Sequence, residues 1–136
     1  MDGREPCHLF PPGFPKSQVV FNLHRAVENS AGCAIVVEGF FDCLRVHQAG
    51  YRNVVALMGV SLSEVQKKLL LDRFQQLVLM PDGDEVGKRA GQQLAERLRG
   101  QVSLSMAGVP SGRQPDQLSS TEIRYILGAS NRAPGA

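Results

Sequence analysis

Three acidic residues stand just beyond two short apolar runs. Glu38 follows Ala34-Ile35-Val36-Val37, and Asp82 and Asp84 follow Leu77-Val78-Leu79-Met80-Pro81. Runs of this length and composition read as strands buried on both faces of a parallel sheet. In such a sheet, ligands collect in the crevice beyond the carboxyl ends of the strands. Carboxylates gathered there repel one another unless a cation joins them. Hard oxygen donors suit Mg²⁺, with Mn²⁺ as the alternative. The predicted chemistry is a divalent-metal site handling phosphate, in which the metal neutralises charge on the phosphate oxygens.

The neighbours of these acids fit that reading. Asp84 opens a predicted helix whose exposed amides attract anions. Gly83 and Gly87 keep side-chain bulk away from a phosphate. Lys88 and Arg89 lie one turn into the helix and are candidate phosphate contacts, with a solvated helix face as the equal alternative. Each acid taken singly has a plainer role: Asp84 as a helix cap, Glu38 as a surface residue at a strand end. Only their joint position favours the metal.

The elements that must position these residues alternate. Pro6, Pro11, Pro12, Gly13 and Pro15 make the first 16 residues irregular. Ser17 is placed to cap a helix over 18–29, with Val19, Val20, Leu23, Ala26 and Val27 inward. Ala31-Gly32 ends it, and a strand over 34–37 follows. A helix over 41–49 stops at Gly50, and a second strand lies near 54–57. Ser61-Leu62-Ser63-Glu64 has the pattern of a capping box. The helix after it carries Leu62, Val65, Leu69 and Leu70 as its core stripe, with Lys67, Lys68 and Arg73 in water. After the strand over 77–80, a helix over 85–99 turns Val86, Ala90, Leu94 and Leu98 inward and stops at Gly100. A fourth strand over 102–106 precedes a Gly/Pro-rich loop and a short helix from Thr121. Strands alternating with helices of this length predict a parallel, right-handed α/β sheet of about four strands with helices on both faces.

Composition sets the bounds. A chain of 136 residues is long enough for one domain with its own core. Fifteen Lys+Arg against 13 Asp+Glu leave a net charge of +2, so any nucleic-acid contact must rest on a local patch. Cys7, Cys33 and Cys43 show no Cys-x-x-Cys spacing, which favours free thiols in a reducing, cytoplasmic setting over a zinc site. No apolar stretch approaches 18 residues, so no membrane partner is expected. His47 reads as a packing residue of its helix, and His8 and His24 carry no signal.

Longer phrases carry a resemblance. Val36-Val37-Glu38-Gly39-Phe40-Phe41-Asp42, then His47-Gln48-Ala49-Gly50, then Val55-Ala56-Leu57-Met58-Gly59, then Asp82-Gly83-Asp84-Glu85-Val86-Gly87 are similar to the ordered motifs of a TOPRIM domain. The wording of the first and last phrases resembles the TOPRIM segment of bacterial DnaG-type DNA primases. Phe14-Pro15-Lys16 and Phe21-Asn22-Leu23 resemble the stretch that precedes that segment. The likeness covers residues from about 9 to 118. It implies a Rossmann-like catalytic domain over 31–127, after a lead-in and helix over 1–30 and before a frayed tail over 128–136.

The resemblance also implies roles. Glu38 matches the family's invariant acid, a metal ligand or general acid/base, and Asp82 and Asp84 match its metal-binding pair. Asp42 and Asp116 match further acidic ligands. Lys16 matches a residue that would touch nucleotide or template, which adds to Lys88 and Arg89, read from their place on the helix as candidate phosphate contacts. Where the family reads Gly-Lys-Asp-Pro-Asp, this chain has Gly112-Arg113-Gln114-Pro115-Asp116, and the neutral Gln114 weakens any additional metal. The implied activity is Mg²⁺-dependent nucleotidyl transfer, of the DNA-directed RNA polymerase class, making short RNA primers on single-stranded DNA in DNA replication. Its implied partners are single-stranded DNA, nucleoside triphosphates, and zinc-binding and helicase-interacting domains supplied from outside this segment. The competing class is a stand-alone TOPRIM nuclease or a non-catalytic nucleic-acid-binding accessory domain. Topoisomerase chemistry is disfavoured, because neither Tyr51 nor Tyr125 sits in a nucleophile-like setting.

Overall fold

The computed structural model of the protein describes residues 19–59 and 61–132. Cys7, His8, Lys16, Ser17 and the Pro-rich lead-in lie outside the described residues. Four strands, β1 (Cys33–Val37), β2 (Val54–Ala56), β3 (Gln76–Leu79) and β4 (Ser103–Met106), form one sheet in the order β2-β1-β3-β4. Every pairing is parallel. The helices are α1 (Leu23–Glu28), α2 (Phe40–Gln48), α3 (Glu64–Arg73), α4 (Glu85–Leu98) and α5 (Ser120–Arg132), with a 3-10 turn at Pro115–Gln117.

Side chains alternate across each strand and build two cores. Ile35, Val37, Val54, Ala56, Val78 and Met80 face α2 and α5, where Val46, Ile123 and Leu127 meet them. Ala34, Val36, Val55, Leu57, Leu77 and Leu79 face the other way, onto Ala26, Leu70 and Leu98 of α1, α3 and α4. Both faces of the apolar runs in β1, β2 and β3 are therefore dry, while β4 at the sheet edge is partly exposed.

The strand order decides where a ligand can sit. From β1 the chain steps to β2 on one side, then crosses back to β3 on the other. Connections leaving β1 and β3 thus diverge to opposite faces and open a crevice at their carboxyl ends. Val36 is paired with Leu79, so Glu38 stands level with Pro81, one residue before Asp82.

Several local expectations are corrected. Residues 19–22 are not helical: Phe21 makes an antiparallel bridge to Ala56, its N–H donating to the Ala56 carbonyl at 2.9 Å. Asn22 then turns into the left-handed region, φ 68°, and its Nδ2 donates to the Val54 carbonyl at 2.9 Å. The edge of β2 offered backbone partners that a helix would have forgone, so α1 starts only at Leu23 and leaves Val27 exposed. The capping box of α3 lies two residues later than read, with Ser63 and Gln66 as its pair. Gln66, not Val65, is the inward residue: its Nε2 donates to the carbonyls of Val19 and Leu57, both at 2.9 Å. In α4 the inward positions are Gly87, Gly91 and Leu98, while Val86 is 66% exposed. Helix α5 continues through residues 128–132.

Candidate metal centre

The acidic residues are brought to the crevice by three separate devices. The first is the end of β1. Glu38 leaves the strand with its carbonyl accepting the Met58 N–H at 2.7 Å, and its carboxylate accepts the backbone N–H of Asp82. Its Oε2 is buried without a hydrogen-bond partner among the described residues. A buried, unsatisfied carboxylate oxygen is costly, and a cation is one of the few partners that removes the cost.

The second device is a glycine series that lets α4 press onto the loop after β3. A Cβ on Gly87 would lie 2.4 Å from the Asp82 carbonyl oxygen, and one on Gly91 2.7 Å from Pro81 Cγ. A Cβ on Gly83 would lie 2.1 Å from the Pro110 carbonyl oxygen. These contacts are with the protein's own backbone and side chains, so close packing explains the glycines. Asp84 caps α4, accepting the Gly87 N–H at 2.7 Å. The plainer role foreseen for Asp84 is therefore real, and it holds the carboxylate at the helix N-terminus.

The third device is a clasp between α2 and the 3-10 turn. Asp42, in the first turn of α2, is 5% exposed. Its Oδ1 accepts the backbone N–H of Asp116 at 3.0 Å, across 74 residues of sequence. Gln114 precedes the turn and gives its own N–H to Gln117 Oε1 at 2.8 Å, so in this chain it serves the turn.

The charges are mutually coupled. Burial pushes the Asp42 carboxyl up to about 7, with the Asp82 charge adding to it and the Asp116 amide opposing it. Burial also raises Glu38, reinforced by Asp42, opposed by the Asp82 amide, and raised further by Asp84. Glu38, Asp42, Asp82, Asp84 and Asp116 thus share one field. Among the described residues no group of three or more His, Cys, Asp or Glu side chains is arranged so as to hold a metal ion. An all-oxygen donor group that leaves coordination positions to water fits Mg²⁺, which dehydrates reluctantly, better than it fits a closed structural site.

Lys88 and Arg89 are exposed in the first turns of α4, on the helix that Asp84 caps. Cys33 and Cys43 take no part in the bonds of this crevice. Burial pushes the Cys43 thiol up to about 12, and Cys33 is raised by the same cause. His24 pairs with Glu28 at 3.3 Å. Arg113, read from the sequence only as part of the Gly112–Asp116 motif and given no role there, has its carbonyl accepting the Gly83 N–H at 2.7 Å. Its guanidinium reaches the Gln117 carbonyl at 2.5 Å and Glu122 at 3.2 Å.

A four-stranded parallel sheet carrying acids at its switch point places the chain in a class, and residues 35–119 match the Toprim-like family. The chain belongs to that family, as the motifs implied. It is 35% identical over 128 residues to the DNA primase of Clostridium acetobutylicum, covering 86% of this chain and 20% of that primase. The Aquifex aeolicus primase, solved with its zinc-binding and RNA polymerase domains, superposes with a TM-score of 0.75 at 34% identity, over 86% of this chain and 31% of that one. A DnaG primase catalytic domain bound to single-stranded DNA superposes with a TM-score of 0.71 at 26% identity, over 87% of this chain and 39% of that one. The chain therefore corresponds to the Toprim part of a DnaG-type catalytic core, and spans about a fifth of the Clostridium relative's length.

Proposed function

We propose that this chain is the metal-binding centre of a primase-type nucleotidyltransferase, acting in RNA primer synthesis on single-stranded DNA when joined to further domains. The observation that carries the reading is the buried, unpartnered Glu38 Oε2 beside four coupled aspartates at the β1/β3 switch point. Asp82 and Asp84 would hold Mg²⁺ or Mn²⁺, with Glu38, Asp42 and Asp116 completing the oxygen-rich crevice. Bound there, the ion would neutralise phosphate charge and orient the attacking and leaving oxygens. Glu38, held neutral more readily than an ordinary carboxyl, is suited to ligate or to carry a proton. Lys88, Arg89 and, from the lead-in, Lys16 would contact the triphosphate or the template. The solved relative bound to single-stranded DNA supports that partner, and the Aquifex structure's zinc-binding domain supports the kind of module that would act with this one.

The test is a Mn²⁺ titration of the chain, followed by calorimetry and by paramagnetic broadening of amide resonances, with and without a nucleoside triphosphate. Saturable binding that broadens Glu38, Asp42, Asp82 and Asp84, and tightens with the triphosphate, is the expected result. Absence of saturable binding, or broadening confined to other surfaces, would overturn it.

A further inference from the structure

Arg113 joins the segments that carry the acids after β3, through its backbone carbonyl on one side and its guanidinium on the other. Its carbonyl accepts the N–H of Gly83, the residue between Asp82 and Asp84, at 2.7 Å. The bond is answered by the Gly112 N–H, which donates to the Gly83 carbonyl at 3.0 Å. Gly83 thus donates to Arg113 and accepts from Gly112, and these two backbone bonds fix the Asp82-Gly83-Asp84 turn against the 110–113 loop. The Pro110 carbonyl sits where a Cβ of residue 83 would be, so the turn has no room to shift.

The guanidinium works on the other side. Its Nη2 donates to the Gln117 carbonyl at 2.5 Å and its Nη1 to Glu122 Oε2 at 3.2 Å. Residues 113 and 117 straddle Asp116, whose N–H holds Asp42. Glu122 is itself fixed as the capping partner of α5: its Oε1 accepts the Ser119 N–H at 2.8 Å. Arg113 thus anchors the 3-10 turn to a helix that is docked on the sheet through Ile123 and Leu127.

We infer that Arg113, braced by Glu122, is a positioning residue that holds the Asp82–Asp84 turn and the Asp42–Asp116 clasp at the spacing a divalent cation requires. This rests on the metal reading above. Supporting groups behind metal ligands commonly change affinity by about 10- to 100-fold when removed. A half-exposed ion pair contributes little to global stability, so the two effects are separable.

The experiment measures Mn²⁺ affinity by calorimetry for the wild type, Arg113→Ala, Glu122→Gln and the double variant, together with the melting temperature and amide exchange at Gly83 and Asp116. Glu122→Gln keeps an oxygen for the Ser119 N–H, so it removes the brace and spares the helix cap. Expected is roughly tenfold weaker Mn²⁺ binding in Arg113→Ala, with faster exchange at both amides and a melting temperature lower by only a few degrees. Glu122→Gln should reproduce part of that loss, and the double variant should bind no more weakly than Arg113→Ala. Metal alone is the probe, so a direct contact of Arg113 with phosphate would leave these affinities unchanged. Wild-type affinity in Arg113→Ala would overturn the inference while leaving the metal reading intact. Additive losses in the double variant would overturn the route through Glu122. No Mn²⁺ binding by the wild type would sink the metal reading itself. If Arg113→Ala does not fold, Glu122→Gln alone carries the comparison, and unchanged affinity there overturns the proposal.

Discussion

A carboxyl buried among other carboxyls is costly to keep ionised, and Asp42 bears the largest part of that cost in this crevice. Its folded-state pKa of about 7 lies well above the ordinary aspartate value, first through burial and then through Asp82. The folded protein therefore binds a proton that the unfolded chain has already released. By linkage, the stability this group contributes is complete below about pH 4 and is lost as pH rises through about 7. The ceiling on that loss is about 4 kcal/mol, at about 1.4 kcal/mol per pH unit. Asp42→Asn retains an oxygen for the Asp116 N–H and removes the charge. Metal-free Asp42→Asn should therefore be more stable than the wild type at pH 8 and lose its advantage near pH 4, as read by urea denaturation at both values. Equal midpoints at the two pH values would show that Asp42 is not held in a destabilising field. Asp84 behaves differently, because Asn caps a helix as well as Asp does. Asp84→Asn should leave the metal-free melting temperature almost unmoved and weaken Mn²⁺ binding. A large drop in melting temperature would mark Asp84 as structural only.

At the scale of elements, what was legible in the sequence were the features set by local pattern. Unbroken apolar runs marked β1, β2 and β3, because burial on both faces leaves no polar positions to confuse the period. Strand β4 was marked by alternation of Ser with apolar residues, and the succession of strands and helices implied the parallel sheet. Glu38, Asp82 and Asp84 stood out because each follows a run that must end at the same side of the sheet, whereas Asp42 and Asp116 follow no strand and were named only through the family motifs. The missed features all depend on contacts distant in sequence. Val19–Asn22 pair with β2 through Ala56 and Val54, and Gln66 enters the core because two backbone carbonyls await it there. The start of α5 was nearer to hand: Ser119-Ser120-Thr121-Glu122 has the same capping pattern that was noticed before α3. On α4 the inward Leu94 and Leu98 were read correctly, but Val86 was misplaced and Gly87 and Gly91 were overlooked, because glycine scores as neutral in any hydrophobic stripe although here it marks a tight contact. That contact is testable. In an open helix interior, Gly→Ala stabilises by up to about 1 kcal/mol. Gly128→Ala in α5, with nothing within 4 Å of the added Cβ, should show that gain. Gly87→Ala places its Cβ 2.4 Å from the Asp82 carbonyl oxygen and should instead destabilise by about 1–3 kcal/mol, the usual range for overpacking. Thermal unfolding of the two variants decides this, and a stabilised Gly87→Ala would mean that α4 does not press on the loop.

For the whole molecule, the sheet and its two cores form a scaffold that holds like charges close together at its acidic end. Ile35, Leu77, Leu79 and Met80 are all fully buried, so strands β1 and β3 cannot separate to relieve the repulsion beyond their ends. Glu38 and Asp82 are additionally tied by the amide of the latter, which fixes them close together. A scaffold that holds like charges together in this way should couple metal binding strongly to folding, since the ion binds the assembled crevice and not the unfolded chain. A ligand at a hundred times its dissociation constant stabilises by about 2.7 kcal/mol. For a domain of this size that corresponds to a rise in melting temperature of about ten degrees. Saturating Mg²⁺ or Mn²⁺ should produce such a rise in the wild type, with a smaller one in Asp82→Asn. The metal-free melting temperature of Asp82→Asn should equal or exceed that of the metal-free wild type, because one repelling charge is gone. The combination matters more than either part: a lost ligand alone would lower the metal-induced rise, and relieved repulsion alone would raise the metal-free value. A variant that melts lower than the wild type in chelator and rises as much in Mn²⁺ would mean that Asp82 serves the loop after β3 and that the cation, if bound, sits elsewhere.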